Sequence, residues 1–207
     1  EALEAFKLFH DKHPEAAIFF HSQQQPNTGF PIQLLAKELG IADRCFFLDN
    51  YIGMFNSRSH DIAMEMNMFD VLLHPSQTEG FGLTPIEAMS CGVPAIVNDC
   101  TSMPEMIIPG KTGEICKTDR HRFTQDGSWV WTADVQDLYE CMERLWEQLH
   151  KPNTVAKDCR DHVLSNYNID TLFKEKWVPL MEDLQEELLP NLTEPIKGNK
   201  IDLPVTV

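Results

Sequence analysis

Residues 69–97 read FDVLLHPSQTEGFGLTPIEAMSCGVPAIV. The segment contains an apolar run at 71–74, a polar loop with two glycines, a short predicted helix at 85–90, and a second apolar run at 94–97. Strand, loop, helix and strand in this order predict a βαβ unit, in which the two strands are parallel.

The same alternation continues on both sides of this segment. Further apolar runs predict strands at 16–21, 45–48 and 113–116, and amphipathic stretches predict helices at the very start of the chain, at 31–39 and at 59–69. Because each predicted strand is apolar on both faces, we expect a parallel sheet covered by helices on both sides. That arrangement is a doubly wound α/β fold.

The rest of the chain is predicted to be mainly helical. Residues 117–131 are predicted to be a polar loop, and a continuous apolar stripe predicts a long helix at 135–149. Helical patterns follow at 154–166 and from Asp170 onward. The predicted division is an α/β domain at 1–150, C-terminal helices that pack on it at 151–189, and a loose tail at 190–207.

The composition excludes several classes of function. Hydrophobic residues make up 43% of the 207 residues, which is the balance of a folded domain, and no apolar run is long enough to form a transmembrane segment. Acidic residues number 32 against 17 basic ones, which gives a net charge of −15. Because a surface this acidic repels nucleic acid and anionic lipid, any bound phosphate must be held by backbone N–H groups or by a few placed cations.

The six cysteines are scattered along the chain and form no C-x-x-C pair. In a chain of this size the pattern is typical of reduced thiols in a reducing compartment, so we expect a cytoplasmic protein. The closely spaced ligands of a zinc site are missing from the sequence, and we expect no bound metal ion.

The loop between the first strand and the helix of residues 69–97 has the features of a ligand site. In a parallel sheet, such a loop lies at the carboxyl ends of the strands, where ligands bind. Gly80 and Gly82 let the backbone approach a ligand closely, and the N-terminus of the following helix suits a phosphate. Glu79 and Glu87 flank the glycines, and sugar hydroxyls are suitable hydrogen-bond partners for their carboxylates.

Glu79 and Glu87 form a Glu-x7-Glu pattern with Gly-Phe-Gly-Leu inside it, followed by Glu-Ala-Met-x-Cys-Gly-x-Pro. These residues resemble those of the retaining glycosyltransferases of family 4. The resemblance covers residues 1–150 in the order of elements and is most specific at 70–115. It implies one half of a GT-B architecture, with residues 1–150 as a Rossmann-like domain that binds a nucleotide-sugar.

The resemblance also implies a role for each residue of the loop. Glu79 matches the glutamate that contacts the transferred sugar near the reacting centre, and it is the predicted catalytic residue. Glu87 matches the glutamate that binds the ribose hydroxyls, and backbone N–H groups of the turn match those that hold the donor pyrophosphate. The predicted donor-binding residues are Gly80, Phe81, Gly82, Leu83, Thr84 and Glu87.

Two further candidate residues have open alternatives. His74 ends a predicted strand beside the loop and is either an acid or base or an ordinary strand-end histidine. Tyr51 lies where family members contact the base, and a packed or exposed loop tyrosine is an equal alternative. The sequence departs from the family pattern at Thr101 and Ser102, where the family usually has glycine, so we expect a different local turn.

The donor that the resemblance implies is a nucleotide-sugar, such as a UDP- or GDP-sugar, and transfer retains the anomeric configuration. The acceptor, whether a saccharide, a lipid or a protein, is not identified by these residues. The family needs no metal ion or separate cofactor in this role, and we expect none.

Two parts of the family's enzymes are not found in these residues: the Arg and Lys stretch that neutralises the pyrophosphate, and the amino-terminal acceptor domain. We therefore expect the carboxyl-terminal, donor-binding half of a two-domain enzyme, with Phe173, Trp177 and Met181 exposed. Two alternatives remain open. One is a non-catalytic module that binds nucleotide-sugars, and the other is another GT-B-like enzyme, such as an epimerase or a phosphorylase.

Overall fold

The computed structural model of the chain describes residues 1–21, 30–48, 59–125 and 127–188. The chain forms two compact units, Glu1–Ser165 and Asn166–Val207. The domain boundaries drawn from the sequence, after residues 150 and 189, stay a prediction. Within the described residues, none of the helices combines the length and the apolar composition that crossing a membrane requires.

Strands and helices alternate along the first unit as far as Cys116, after which further strands and then further helices follow one another. The strands are Ile18–Phe20 (β1), Cys45–Phe47 (β2), Leu72–His74 (β3), Ala95–Asn98 (β4), Gly113–Cys116 (β5), Thr118–Phe123 (β6) and Trp129–Ala133 (β7). The α-helices are Ala2–Lys12 (α1), Ile32–Glu38 (α2), Ser59–Met66 (α3), Leu83–Ser90 (α4), Val135–Leu149 (α5) and Val155–Asn166 (α6). Short 3-10 helices are formed by Ala42–Arg44 and Met103–Met106.

The parallel strands lie in two hydrogen-bonded groups. β1 pairs with β2, and β4 lies between β3 and β5, with every one of these pairs parallel. All four residues of β4 are buried, which agrees with the apolar run that predicted a strand covered on both faces. Parallel strands with helices between them confirm the predicted α/β fold class.

Helix α5 carries the apolar stripe predicted from the sequence. Its buried residues Leu138, Cys141 and Leu145 pack in one cluster with Ile96 of β4 and Cys116 of β5. Burying a leucine side chain contributes roughly 1.5–3 kcal/mol, so this stripe is a main attachment of α5 to the sheet.

Helix α1 buries the apolar face that its sequence spacing predicts. Leu3, Phe6 and Phe9 are all buried and pack in a second cluster with Ala36 and Ile41. The same helix also contacts α5, since partly buried residues of α5 pack against this second cluster.

An ion-pair group joins the end of α1 to α5. Lys12 and His13 both contact the Glu143 carboxylate, His13 through Nε2 at 2.8 Å. Burial opposes ionisation of Glu143, but the hydrogen bonds from Lys12 and His13 outweigh it and hold the pKa of this carboxyl below its ordinary value. The group therefore favours the packed arrangement of the two helices at neutral pH.

The prediction of a polar loop at 117–131 is wrong. β6 and β7 form an antiparallel hairpin there, with a register irregularity between Thr118 and Arg120. The residues of β6 are mostly polar and exposed, so the sequence lacks the apolar run that marks a buried strand. Cross-strand contacts stabilise the hairpin instead, because Phe123 pairs with Trp129 and their ring centroids lie 5.2 Å apart.

The described part of the second unit is helical. Ile169–Leu172 (α7) continues through a π-helical turn at Phe173–Trp177 into Val178–Leu188 (α8). The π-helical turn directly precedes the segment with Pro179, which has no N–H to continue regular α-helical hydrogen bonding. The predicted exposure of apolar side chains in this unit is confirmed at Phe173, Trp177 and Met181.

Candidate functional site

The loop that follows β3 lies at the carboxyl edge of the β3–β4–β5 group. Because these three strands are parallel, their last residues, His74, Asn98 and Cys116, lie at the same edge. The chain leaves this edge after His74 and enters α4 at Leu83. In parallel α/β sheets this is the edge at which ligands bind.

The structure brings Glu79 and His74 together. Glu79 Oε1 lies 3.2 Å from His74 Nε2, and both side chains are partly buried. When Nε2 carries the proton, the imidazole donates to the carboxylate and orients it. The pair therefore places a held carboxylate at the carboxyl edge of the sheet.

The N-terminus of α4 presents backbone donors. Gly82 precedes the helix with a φ of +94°, a left-handed conformation that favours glycine, and no side chain caps the helix. Within the described residues, no acceptor is found for the N–H groups of Gly82, Leu83 and Thr84. Together with the positive end of the helix dipole, such donors form a site for an anion.

Packing also limits the space at Gly82, although the nearest atom belongs to a flexible side chain. A Cβ placed there would lie 2.7 Å from the Cε of Met106. At Gly80, by contrast, a Cβ would meet nothing within 4 Å, and the neighbouring Phe81 and Leu83 side chains are 48% and 67% exposed. The turn is therefore packed against Met106 at Gly82 and open to solvent at Gly80, Phe81 and Leu83.

Glu87 lies one helical turn beyond Leu83 and is exposed. Its backbone carbonyl accepts a hydrogen bond from Ser90 Oγ at 2.7 Å, but its carboxylate has no partner among the described residues. An exposed carboxylate without an ion pair is available to a ligand. The structure thus places both glutamates on the segment that enters and forms α4.

Asn98 holds the start of the loop, a function that the sequence analysis missed. The residue is fully buried at the end of β4, and its Nδ2 donates to the Ser76 carbonyl at 2.9 Å. Its Oδ1 is buried without a partner among the described residues. The available signal was a polar residue directly after an apolar strand, at the edge of the sheet where ligands bind.

Thr101 and Ser102 contact the middle of the loop. The Glu79 N–H donates to Thr101 Oγ1 at 3.2 Å, and Ser102 Oγ donates to the Phe81 carbonyl at 2.9 Å. A different turn is expected at this pair from the sequence, because glycine is missing. Thr101 nevertheless has a φ of +52°, in the region that glycine favours.

The β6–β7 hairpin lies beside the same loop. The Trp131 N–H donates to the Gln77 carbonyl at 2.9 Å. Gln77 also lines a surface cavity of about 530 Å³, whose other walls include Arg120, Arg122 and Thr132. Asp119 and Glu1 line the same cavity, and Arg120 Nε donates to the Asp119 carboxylate at 3.2 Å. The hairpin thus brings both basic and acidic side chains to the cavity that Gln77 lines, and these were missed because a polar loop was predicted at 117–131.

The Cys100 thiol also lies near this edge, one residue before Thr101. Burial raises the pKa of the Cys100 thiol, and this effect outweighs a hydrogen bond involving Thr101 that lowers the pKa. The thiol therefore stays protonated at neutral pH and is a poor nucleophile. Tyr51 lies outside the described residues. In the part of the chain that the structure describes, no three His, Cys, Asp or Glu side chains are grouped so that they could hold a metal ion.

Known proteins match this chain in sequence. The profile of the family Glycosyl transferases group 1 matches residues 1–126. N-acetyl-alpha-D-glucosaminyl L-malate synthase from Bacillus anthracis is 39% identical over 83 residues, which are 40% of this chain and 20% of that protein. O-antigen chain mannosyltransferase B from Escherichia coli is 35% identical over 81 residues, which are 36% of this chain and 21% of that protein. The matches thus span about a fifth of the length of these curated relatives.

Solved structures match the chain in fold. The C-terminal domain of a glycosyl transferase group 1 family protein, LpcC from Francisella tularensis, has a TM-score of 0.62 at 19% identity, and the match covers 81% of this chain and 77% of that one. HepE from Anabaena, solved in complex with UDP-glucose, has a TM-score of 0.56 at 21% identity, over 73% of this chain and 36% of that one. Identities this low show a common fold alone. The family profile, however, covers more than half of the chain, and the chain therefore belongs to the group 1 glycosyl transferases.

Proposed function

We propose that the chain is the donor-binding half of a retaining glycosyltransferase of family 4, which moves a sugar from a nucleotide-sugar to an acceptor. The observation that carries the proposal is the loop between β3 and α4, where the held carboxylate of Glu79 lies next to the uncapped N-terminus of a helix. Membership of the group 1 family supports this activity.

In this proposal the N-terminus of α4 binds the diphosphate of the donor. Backbone N–H groups of Phe81, Gly82 and Leu83 donate to phosphate oxygens, and Thr84 adds its hydroxyl. Gly80 and Gly82 allow the close approach. Because the leaving group is a nucleoside diphosphate, the negative charge that develops on its β-phosphate falls at the positive end of the helix. Donors fixed in advance stabilise this charge without reorganising during the reaction, and we assign no metal ion or other cofactor to this step.

Glu79 contacts the transferred sugar. A carboxylate accepts hydrogen bonds from sugar hydroxyls and stabilises positive charge that develops at the anomeric carbon. The contact with His74 at 3.2 Å supports this role, since it holds the carboxylate in one orientation before the donor binds. We therefore assign His74 as a positioning residue for Glu79.

Glu87 binds the ribose of the donor nucleotide. Its place one turn into α4 puts it beyond the proposed diphosphate site, and its carboxylate is exposed. Two adjacent hydroxyls of a ribose are natural donors to the two oxygens of one carboxylate.

The donor class is a UDP- or GDP-sugar, and the acceptor is a saccharide, a lipid or a protein bound by a separate domain. The UDP-glucose complex of the Anabaena neighbour supports a nucleotide-sugar as the donor. A reducing, cytoplasmic location is supported by the six cysteines, which are all free thiols.

The ribose role of Glu87 is tested by Glu87→Ala in this chain. We expect affinity for the nucleoside diphosphate to fall by about 10- to 150-fold, since a hydrogen bond to a charged group is worth about 1.5–3 kcal/mol. Calorimetry with UDP and with GDP measures the change, and an unaltered unfolding midpoint shows that the fold is intact.

The matched control for this test is Glu38→Ala, which removes an exposed glutamate from α2 and should bind the nucleotide as the unmodified chain does. Equal nucleotide affinity in Glu87→Ala and in the unmodified chain would rule out the ribose role.

A further inference from the structure

The turn after β4 contains a backbone conformation that its residue type disfavours. Thr101 has a φ of +52°, and within the described residues it is the only non-glycine residue with a positive φ. A β-branched side chain in this region is strained, because its Cβ crowds the backbone. Such strain persists only where the surrounding structure fixes it, and it occurs preferentially at functional sites.

The hydroxyl of Thr101 explains why threonine is present in spite of this strain. Thr101 Oγ1 accepts the N–H of Glu79 at 3.2 Å. A glycine at this position would adopt the same φ without a steric cost but would offer no side-chain acceptor. The Glu79 N–H would then lose the one partner that the structure gives it among the described residues.

The next residue holds the other end of the same short segment. Ser102 Oγ donates to the Phe81 carbonyl at 2.9 Å and lies 3.5 Å from the Glu79 carbonyl. Two adjacent hydroxyls from the turn after β4 therefore contact the backbone of residues 79–81 at both ends. This segment bears the Glu79 carboxylate and leads directly into the N-terminus of α4.

We propose that Thr101 and Ser102 are positioning residues, which together form a clasp that sets the orientation of the Glu79 carboxylate and of the α4 N-terminus. The proposal rests on the function proposed above for Glu79. The clasp acts on the loop backbone, whereas His74 acts on the carboxylate of Glu79 itself, so the two contacts fix different parts of the residue. The strain at Thr101 is retained because the turn must combine a left-handed φ with a hydroxyl.

The experiment compares three variants of this chain. Thr101→Gly relieves the strained φ and removes the hydroxyl, Thr101→Ser keeps the hydroxyl, and Ser102→Ala removes the second contact. Three properties are measured for each variant: the unfolding midpoint, the hydrogen-exchange rate of the Glu79 amide, and the affinities for UDP- and GDP-sugars.

We expect Thr101→Gly to keep or raise the unfolding midpoint. The same variant should speed hydrogen exchange at the Glu79 amide and weaken nucleotide-sugar binding. Each of these two effects should be about three- to tenfold, which corresponds to the loss of one neutral hydrogen bond. Thr101→Ser, which keeps the hydroxyl, should have the same Glu79 exchange rate and the same nucleotide-sugar affinity as the unmodified chain. Ser102→Ala should weaken nucleotide-sugar binding to a similar degree without lowering the unfolding midpoint by more than a few degrees, about what the loss of one such bond causes.

Unchanged exchange at Glu79 in Thr101→Gly overturns the proposal. A fall in the unfolding midpoint with faster exchange across the whole core also overturns it, because Thr101 would then serve folding alone. If the unmodified chain binds none of the nucleotide-sugars, the function proposed for the site fails, whereas the exchange rate at Glu79 still decides whether the clasp exists.

Discussion

Glu79 and Glu87 are identical side chains in different surroundings. Glu79 is held at two points, through its carboxylate by His74 and through its N–H by Thr101. Glu87 is exposed, and its carboxylate has no partner among the described residues. A carboxylate that is fixed before the ligand arrives suits a contact made in the transition state, whereas an unpaired one suits ground-state binding of a nucleotide.

We expect Glu79→Gln to separate the sugar from the nucleotide. Affinity for the bare nucleoside diphosphate should stay nearly unchanged, and the additional affinity for the nucleotide-sugar should fall, because in the proposed function Glu79 contacts the sugar. In a protein that joins this chain to an acceptor domain, kcat should fall, since an interaction strengthened only in the transition state affects the rate. Calorimetry with the nucleoside diphosphate and with the nucleotide-sugar measures the two affinities, and initial rates of transfer measure kcat.

Glutamine keeps an acceptor oxygen and removes the charge, so this variant isolates the electrostatic contribution of Glu79. Glu38→Gln on the exposed face of α2 is the control for a general change in charge. If affinity for the bare nucleotide falls instead and kcat survives, the roles of the two glutamates are reversed. If neither property changes, Glu79 has no part in donor binding or transfer.

At the scale of elements, β4 and β5 approach each other too closely for a side chain at one position. Gly113 is opposite Ala95 and has a φ of +153°. A Cβ placed on Gly113 would lie 1.9 Å from the Ala95 carbonyl oxygen. Since that oxygen belongs to the backbone of the central strand, it cannot move aside as the end of a flexible side chain does.

We expect Gly113→Ala to lower the free energy of unfolding by at least about 3 kcal/mol, because the strands must separate or bend. Gly110→Ala is the matched control: Gly110 has a φ of +72° and open space around its Cβ position, so it tests strain without a clash. That control should cost about 1–2 kcal/mol. Urea unfolding of both variants gives the two values, and equal values would show that the β4–β5 contact relaxes without cost.

Elements with a strong apolar pattern could be predicted from the sequence, and an element without one could not. The stripe on α5 predicted a helix at 135–149, and the structure has Val135–Leu149. β6 has the sequence TDRHRF, and its strand conformation depends on pairing with β7 rather than on burial. A local pattern of polarity contains no information on such a pairing.

The candidate loop shows the same limit at finer detail. The segment that bears Glu79 and Gly82 could be placed at the carboxyl edge of a parallel sheet, because strand, loop and helix follow one another in sequence. The anchors Asn98, Thr101 and Ser102 come from the neighbouring strand and the turn after it, and they are identified as anchors only by hydrogen bonds across the fold.

At the scale of the whole molecule, net charge and local site chemistry oppose each other. A net charge of −15 repels a nucleoside diphosphate, so binding depends on groups close to the phosphates. At the loop these are the dipole and N–H groups of α4, since the cavity beside Gln77 is lined by the acidic Glu1 and Asp119 as well as by Arg120 and Arg122. We therefore expect the chain by itself to bind the nucleotide weakly.

Donor binding and sugar transfer can be measured separately in these 207 residues. The match covers 36% of the HepE chain from Anabaena but 77% of the solved C-terminal domain from Francisella tularensis, so the fold of this chain resembles that of a single domain. We expect these 207 residues to bind UDP or GDP and to transfer no sugar, because a donor half offers the acceptor no second surface that holds its hydroxyl near the anomeric carbon. Nucleotide binding is measured at equilibrium. Transfer is measured with labelled nucleotide-sugars and with saccharide, lipid and peptide acceptors.

Glu87→Ala, which should bind the nucleotide poorly, controls for non-specific nucleotide binding. Transfer by the 207 residues alone would contradict the assignment as a donor half, and the anomeric configuration of that product would then test retention directly.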